Sequence, residues 1–249
     1  MSWEDNPFLK KSEIARMEKS LSEGELESRK YGRFMEAEGL VFTEFNEENI
    51  VEPFELGAGW EVTLSIDPGY VAPTGAVWLA QNGEDMLVIA DYSVAQKTVE
   101  QHAASIIQKT KDLGLDTSNI SIIMDSAALQ KTLGSPTSVA NQFRAHGLDV
   151  QTAVNKSVIE GIQKLKALLK NVDGVRRLRI FRSCVNLLRE LRGYYWGDDE
   201  RPVKRDDHCI DALRYAVMTN KGETKSRTPS QIAWSKKILI NHNKGVLSG

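Results

Sequence analysis

The sequence predicts an α/β domain whose mixed β-sheet opens as an antiparallel meander, continues with parallel strands and carries helices on both faces. Two observations predict it: three consecutive apolar runs between residues 61 and 92, and an alternation of helical and short extended patterns from residue 93 to residue 218. A third locates the chemistry, because acidic residues close two of the apolar runs and open the last helix.

The three runs are residues 61–67, 74–80 and 85–92, each alternating or continuously apolar. Gln81-Asn82-Gly83-Glu84 separates the second from the third, and Asn-Gly is a strong hairpin signal. Residues 93–113 place Val94, Val99, Ala103, Ile106, Ile107 and Thr110 at helical spacing, and residues 120–124 form a β-branched strand. A helix over 138–145, a short strand over 148–151 and a helix over 157–169 follow. The pattern closes with a strand over 178–181, a helix over 185–191 and an amphipathic helix over 207–218. Residues 59–220 thus form the domain. Residues 1–58 read as a connector arm rich in Glu and Lys, with a helical stretch from Lys10 to Phe34 and a short extended segment over 39–45. Residues 221–249 carry Lys221, Lys225, Arg227, Lys236, Lys237 and Lys244 against Glu223 alone, and read as a basic extension with a short helical pattern near 230–240.

With 41% hydrophobic residues in 249, the chain has the length for one sizeable core plus appendages. A net charge of -2 means that a nucleic-acid partner requires basic residues gathered on one face. Cys184 and Cys209 lack the paired spacing of a zinc site or disulfide framework, so they read as small buried residues of a reducing compartment. No run of about 18 apolar residues and no signal-peptide pattern occurs, so the expectation is a cytoplasmic protein without a membrane partner.

Asp67 closes the first run in EVTLSIDPGY, Asp125 closes the fourth in ISIIMDSAAL, and Asp206, Asp207, His208 and Asp211 lie in KRDDHCIDALRYA. Singly, Asp67 is a turn former before Pro-Gly, Asp125 a helix cap, and Asp206 and Asp207 first-turn caps. Jointly, carboxylates delivered from two strand ends and a helix are hard ligands for Mg²⁺ or Mn²⁺. A pair of such ions clamps both oxygens of an in-line phosphoryl displacement. His208 and Asp211, three residues apart, share one helical face, whereas Asp207 is rotated by about 100°. Asp211, followed by Ala212, Leu213, Ala216 and Val217, has the least structural reason to be acidic, so it ranks as third ligand. His208 ranks as auxiliary ligand or proton shuttle, with Asp207 behind it. In the two-metal scheme Asp67 bridges both ions, Asp125 shares the first, and Asp211 with His208 holds the second.

Lys204 and Arg205, just ahead of the acidic motif, are the basic residues nearest any phosphate at the ions. Arg176, Arg177, Arg179 and Arg182, with Lys156, Lys164, Lys166 and Lys170 on or before the adjacent helix, offer a phosphate-tracking surface or a plain solvated face. Tyr194, Tyr195 and Trp196 offer either stacking on bases or, the commoner use of an aromatic cluster beside a sheet, core packing, and His102 and His146 read as structural or surface residues. No base-reading pattern is visible, so cutting is expected to be largely independent of sequence.

Three meander strands followed by alternating helices and strands make the ribonuclease H-like order, and the chain resembles the C-terminal nuclease domain of a tailed-phage large terminase subunit. The resemblance rests on Ser65-Ile66-Asp67-Pro68-Gly69, on Ile123-Met124-Asp125-Ser126, on residues 157–162 and 186–196, and most specifically on residues 207–216. Asp5-Asn6-Pro7 and Gly39-Leu40-Val41-Phe42 resemble the connector between motor ATPase and nuclease. It implies a DNA endonuclease that cuts concatemeric double-stranded DNA in the infected host's cytoplasm, with a packaging ATPase domain, portal protein and small terminase subunit as partners. No G-x-x-x-x-G-K-[ST] loop occurs, so the ATPase signature is absent from this chain, whether it is an excised domain or a separate subunit. A Holliday-junction resolvase, a ribonuclease H and a non-catalytic DNA- or portal-docking module are the alternatives.

Overall fold

The computed structural model describes residues 39–130, 137–153, 157–197 and 201–219. The helical stretch before residue 39, Lys156 and the basic extension from residue 221 lie outside the described residues. Among the described residues, seven strands form one sheet: β1 (Ile50–Val51), β2 (Glu61–Asp67), β3 (Thr74–Asn82), β4 (Asp85–Val94), β5 (Ser121–Asp125), β6 (Val150–Ala153) and β7 (Leu178–Phe181). Their order is β1-β7-β4-β3-β2-β5-β6. β3 pairs antiparallel with β2 and β4 and every other pairing is parallel, so β3 runs against the other strands.

The β3–β4 hairpin reverses through Gly83 and Glu84, with Asn82 facing Asp85 and Gly83 at φ +61. The positive φ explains the glycine, and the asparagine of the expected Asn-Gly turn ends the strand instead. β1 lies ahead of residue 59, so the sheet already begins within the segment read as connector. β6 starts two residues later than expected, because Leu148 is buried in the turn that follows the preceding helix.

Five α-helices among the described residues accompany the sheet: α1 (Val99–Asp112), α2 (Val139–Ala145), α3 (Val158–Leu169), α4 (Val185–Gly193) and α5 (His208–Thr219). The first three start where a hydroxyl accepts from the backbone N–H three residues on: Thr98 from Gln101, Ser138 from Asn141 and Ser157 from Glu160. The cap on Thr98 is also why α1 begins later than expected, since β4 continues to Val94 and the chain turns through Gln96 at φ +59. Successive strand side chains alternate between faces, so Gly75 and Trp78 of β3 point oppositely. Trp78 meets α1, donating from Nε1 to Thr110 Oγ1 at 3.0 Å, while Gly75 lies against His208 of α5. Helices therefore cover both faces. Every residue of α5 from Cys209 through Val217 is buried, as required of a helix packed between the sheet and α3 and α4. Cys184 and Cys209 are free and buried, as expected, and burial pushes both thiols up.

By its internal contacts the chain divides into two units, and residues 44–193 and 204–219 belong to the larger. In the smaller, Leu40 bridges Tyr195, Trp196 bridges Pro202, and Phe42 stacks on Tyr194 at 5.9 Å. The extended segment expected over 39–45 is thus reduced to one bridge. Tyr194 is buried, matching its reading as core, and Tyr195 is exposed. Among the described residues no helix is long and apolar enough to cross a membrane.

Candidate metal centre

Asp67 and Asp125 end neighbouring parallel strands, and the residues before them, Ile66 and Met124, pair in register. Both carboxylates therefore stand at one edge of the sheet. α5 packs on β2, β3 and β5 and presents His208, Asp211 and Tyr215 at spacings of three and four, on one helical face. His208 Nδ1 lies 3.3 Å from Asp67 Oδ2, and Tyr215 Oη donates to Asp125 Oδ2 at 3.3 Å. Asp125 also accepts from the Ala127 N–H at 3.1 Å. Asp211 is buried, and its Oδ1 accepts from Arg214 Nε at 3.1 Å and Nη2 at 2.9 Å.

Three features position the start of α5. Gly75 pairs with Asp67 across β2 and β3, and a Cβ there would stand 2.4 Å from the His208 carbonyl oxygen. Only a glycine lets the helix start this close to the strand beside Asp67. Glu190 of α4, buried, accepts the Ile210 N–H at 2.9 Å and so caps α5 from a neighbouring helix. Asp91 of β4, also buried, accepts the Leu187 N–H at 2.8 Å and caps α4 in the same way. Buried carboxylates thus fasten α4 to the sheet and α5 to α4. The capping role open to Asp206 falls to Glu190 instead, while Asp206 is exposed and turns the chain at φ +51. Gly161 of α3 clears the path of Arg214, whose Cγ would lie 2.2 Å from a Cβ at that position.

Burial raises the proton affinity of Asp67; the His208 contact opposes it, and the charges of Asp211 and Asp125 add to it. Asp207 is raised for the same first reason, reinforced by Asp211. His208 is raised, chiefly by its hydrogen bond to Asp67. Burial also raises Tyr215, which keeps it a donor to Asp125. Asp207 Oδ2 is buried without a hydrogen-bond partner, and a buried carboxylate oxygen left so is costly. Among the described residues, no three His, Cys, Asp or Glu side chains stand close enough as placed to enclose a metal ion. His208 lies against Asp67, and Arg214 against Asp211. The donor set nonetheless fits a divalent cation: hard carboxylate oxygens, one imidazole, an unpartnered oxygen, and acids whose raised proton affinity a cation relieves.

Residues 64–220 match the family model of the terminase RNaseH-like domain. The chain belongs to that family. Solved structures of terminases share the fold. The nuclease domain of the P22 large terminase aligns at 22% identity with a TM-score of 0.62, covering 73% of this chain and 92% of that one. The large terminase of a thermophilic bacteriophage aligns at 21% identity and 0.58, covering 87% of this chain. This chain spans 54% of the length of that relative. The nuclease domain of the large terminase of bacteriophage SPP1, solved with bound Mn, aligns at 19% identity and 0.52, covering 70% and 96%. A search of curated protein sequences found no match.

Within this terminase fold the basic residues singled out in the sequence separate. Arg176 donates from Nε to Glu48 at 2.7 Å and from Nη1 to the Glu44 carbonyl at 2.7 Å, and it reaches Asn49 and the Leu169 carbonyl. Arg179 is turned back onto the Arg176 carbonyl at 2.7 Å. Arg177 pairs with Glu84, Arg182 with Glu47 and Glu52, and Lys166 with Glu44, while Lys164 donates to the Val217 carbonyl. Lys204 and Arg205 are exposed, directly ahead of α5, and Arg205 Nε lies 3.6 Å from the likewise exposed Asp206. Sequence reasoning missed Gly75, Glu190, Arg214 and Tyr215. Two carried a legible signal: Glu190 interrupts the apolar face of Leu187 and Leu191, and Gly75 sits inside a strand.

Proposed function

We propose that this chain is the DNA-cutting module of a phage genome-packaging terminase, hydrolysing phosphodiester bonds of double-stranded DNA with divalent metal and little sequence preference. One observation carries the reading: Asp67 and Asp125 end adjacent parallel strands and meet the His208–Asp211 face of a buried helix. That neighbouring terminase nuclease domains were solved with bound Mn and with bound cobalt supports it.

Asp67, Asp125 and Asp211 would hold Mg²⁺ or Mn²⁺, with His208 and Asp207 in auxiliary positions. When bound, two such ions supply an ionised water and stabilise the leaving oxygen. The residues themselves do the placing. Tyr215 and the Ala127 N–H orient Asp125 from two sides. Arg214 pairs with the buried Asp211 through Nε and Nη2 and so aligns its carboxylate. His208 shares its Nδ1 with Asp67 and is placed to move a proton at that atom. Lys204 and Arg205 lie where the DNA backbone would approach α5. A packaging ATPase, a portal protein and a small terminase subunit are the partners that follow from this assignment.

The test is cleavage of supercoiled plasmid and linear duplex with Mg²⁺, Mn²⁺ or EDTA. We expect metal-dependent nicking by the parent chain and none by Asp67→Ala or Asp211→Ala. DNA binding without cutting by the parent overturns the assignment in favour of a docking module. Preferential cutting of four-way junctions or RNA–DNA hybrids overturns it in favour of another ribonuclease H-like nuclease.

A further inference from the structure

Because β3 alone opposes the other strands of the sheet, the chain leaves β2, β5 and β6 at the same sheet edge, the edge of Asp67 and Asp125. Large apolar side chains stand exposed just past each of these strands. They are Tyr70 and Val71 after β2, at 66% and 83% exposure, Leu129 in the turn after β5, and Ile159 in the first turn of α3. Single exposed apolar residues are commonplace and call for no explanation. Tyr70 and Val71 differ in being adjacent, three and four residues from Asp67, on a loop that the structure pins from below.

The pinning is specific. Thr74 Oγ1 accepts the Gly69 N–H at 3.1 Å and donates to the Gly69 carbonyl at 2.9 Å, closing the loop on itself. With that hydroxyl proton committed, His102 Nε2 donates to Thr74 Oγ1 at 3.2 Å and Nδ1 accepts from Tyr92 Oη at 2.9 Å. All three of these side chains are buried. The Gln96 N–H holds the Tyr70 carbonyl at 2.8 Å from a backbone at φ +59, a conformation that costs a non-glycine residue free energy. A Cβ on Gly69 would stand 2.5 Å from the carbonyl oxygens of Ala72 and Pro73. The loop is therefore shaped by buried contacts while its two apolar side chains face water.

Residues 68–73 of this loop, Pro-Gly-Tyr-Val-Ala-Pro, carry no charged side chain, so what the loop offers a duplex held at this edge is apolar contact. We propose that Tyr70 and Val71 form an apolar tip that packs against deoxyribose and base edges of duplex DNA beside the phosphate offered to the carboxylates. The proposal rests on the nuclease reading above.

The experiment measures binding of the full chain to a short fluorescent duplex by anisotropy in Ca²⁺ over a salt series, alongside Mn²⁺-dependent cleavage. The Tyr70→Ala/Val71→Ser double variant should bind about tenfold more weakly, the size of one lost aromatic contact with a base. Its slope of log Kd against log salt should equal that of the parent, because no ion pair is removed. Tyr70→Phe should bind within about twofold of the parent, and all variants should keep the parent's melting temperature, since the side chains are exposed. Parent-like binding by the double variant, with the parent cutting DNA, overturns the tip and leaves the nuclease reading standing. A loss of affinity accompanied by a shallower salt slope overturns it too, because the contact is then ionic. Absence of metal-dependent cutting by the parent overturns both.

Discussion

Substituting Gly75 by alanine tests the placement of the centre without touching an acidic group. The added Cβ would stand 2.4 Å from the His208 carbonyl oxygen, 2.5 Å from its carbonyl carbon and 2.8 Å from its Cβ, where ordinary contact begins at 3.4 Å. The obstructing atoms are mostly helix backbone, so no side-chain rotation relieves the clash. The first turn of α5 must retreat from β3 by about 1 Å, the difference between those distances. His208 then loses its 3.3 Å contact with Asp67, and Asp211 shifts with the helix. A misplacement of about 1 Å in a catalytic constellation costs on the order of 10²-fold in rate, while overpacking of this kind costs about 1–3 kcal/mol in stability. We therefore expect Gly75→Ala to fold, to melt a few degrees lower, and to nick supercoiled plasmid with Mn²⁺ roughly 10²-fold more slowly than the parent. Plasmid nicking by agarose gel, with circular-dichroism melting on the same preparation, checks it. A folded Gly75→Ala chain cutting at the parental rate would refute the reasoning that this strand–helix approach sets the site.

Glu190, whose pKa burial pushes up to about 7 from 4.5, gives a pH-dependent stability of known sign. The folded value exceeds the unfolded one, so the contribution is complete below about pH 4.5 and is lost as pH rises through about 7, by up to roughly 3 kcal/mol. Urea unfolding of the parent and Glu190→Gln at pH 5 and pH 8 should show the parent losing more on alkalinisation. An equal loss in both counts against it. Arg176→Ala should lower unfolding free energy by about 2 kcal/mol or more, through the lost contacts to Glu48, Asn49 and two carbonyls, while the DNA affinity of the folded variant stays unchanged. Lys204→Ala and Arg205→Ala should each weaken DNA binding and reduce the salt slope by about one, read from the same anisotropy titration.

The fold was legible in the chain because local patterns dictate it. Runs of period two, a turn glycine at φ +61 and hydroxyl caps at Thr98, Ser138 and Ser157 act within a few residues of where they stand. What escaped was non-local. β1 is two residues long and gains its place by pairing with β7, from which it is separated by more than a hundred residues. Arg176 looks like a DNA-facing arginine in sequence, and only the fold brings Glu48 and Asn49 beneath it.

Sequence alone determined the strand order of the meander and the family resemblance, and it singled out Asp67, Asp125, His208 and Asp211 as candidate ligands, because strand ends and helical spacing are local properties. The tertiary structure decided which groups serve them: Gly75 opposite Asp67, Glu190 under α5, Tyr215 on Asp125 and Arg214 on Asp211 across Gly161. Those choices depend on how closely two backbones approach and on which buried donors and acceptors must be satisfied, quantities that exist only once the chain is packed.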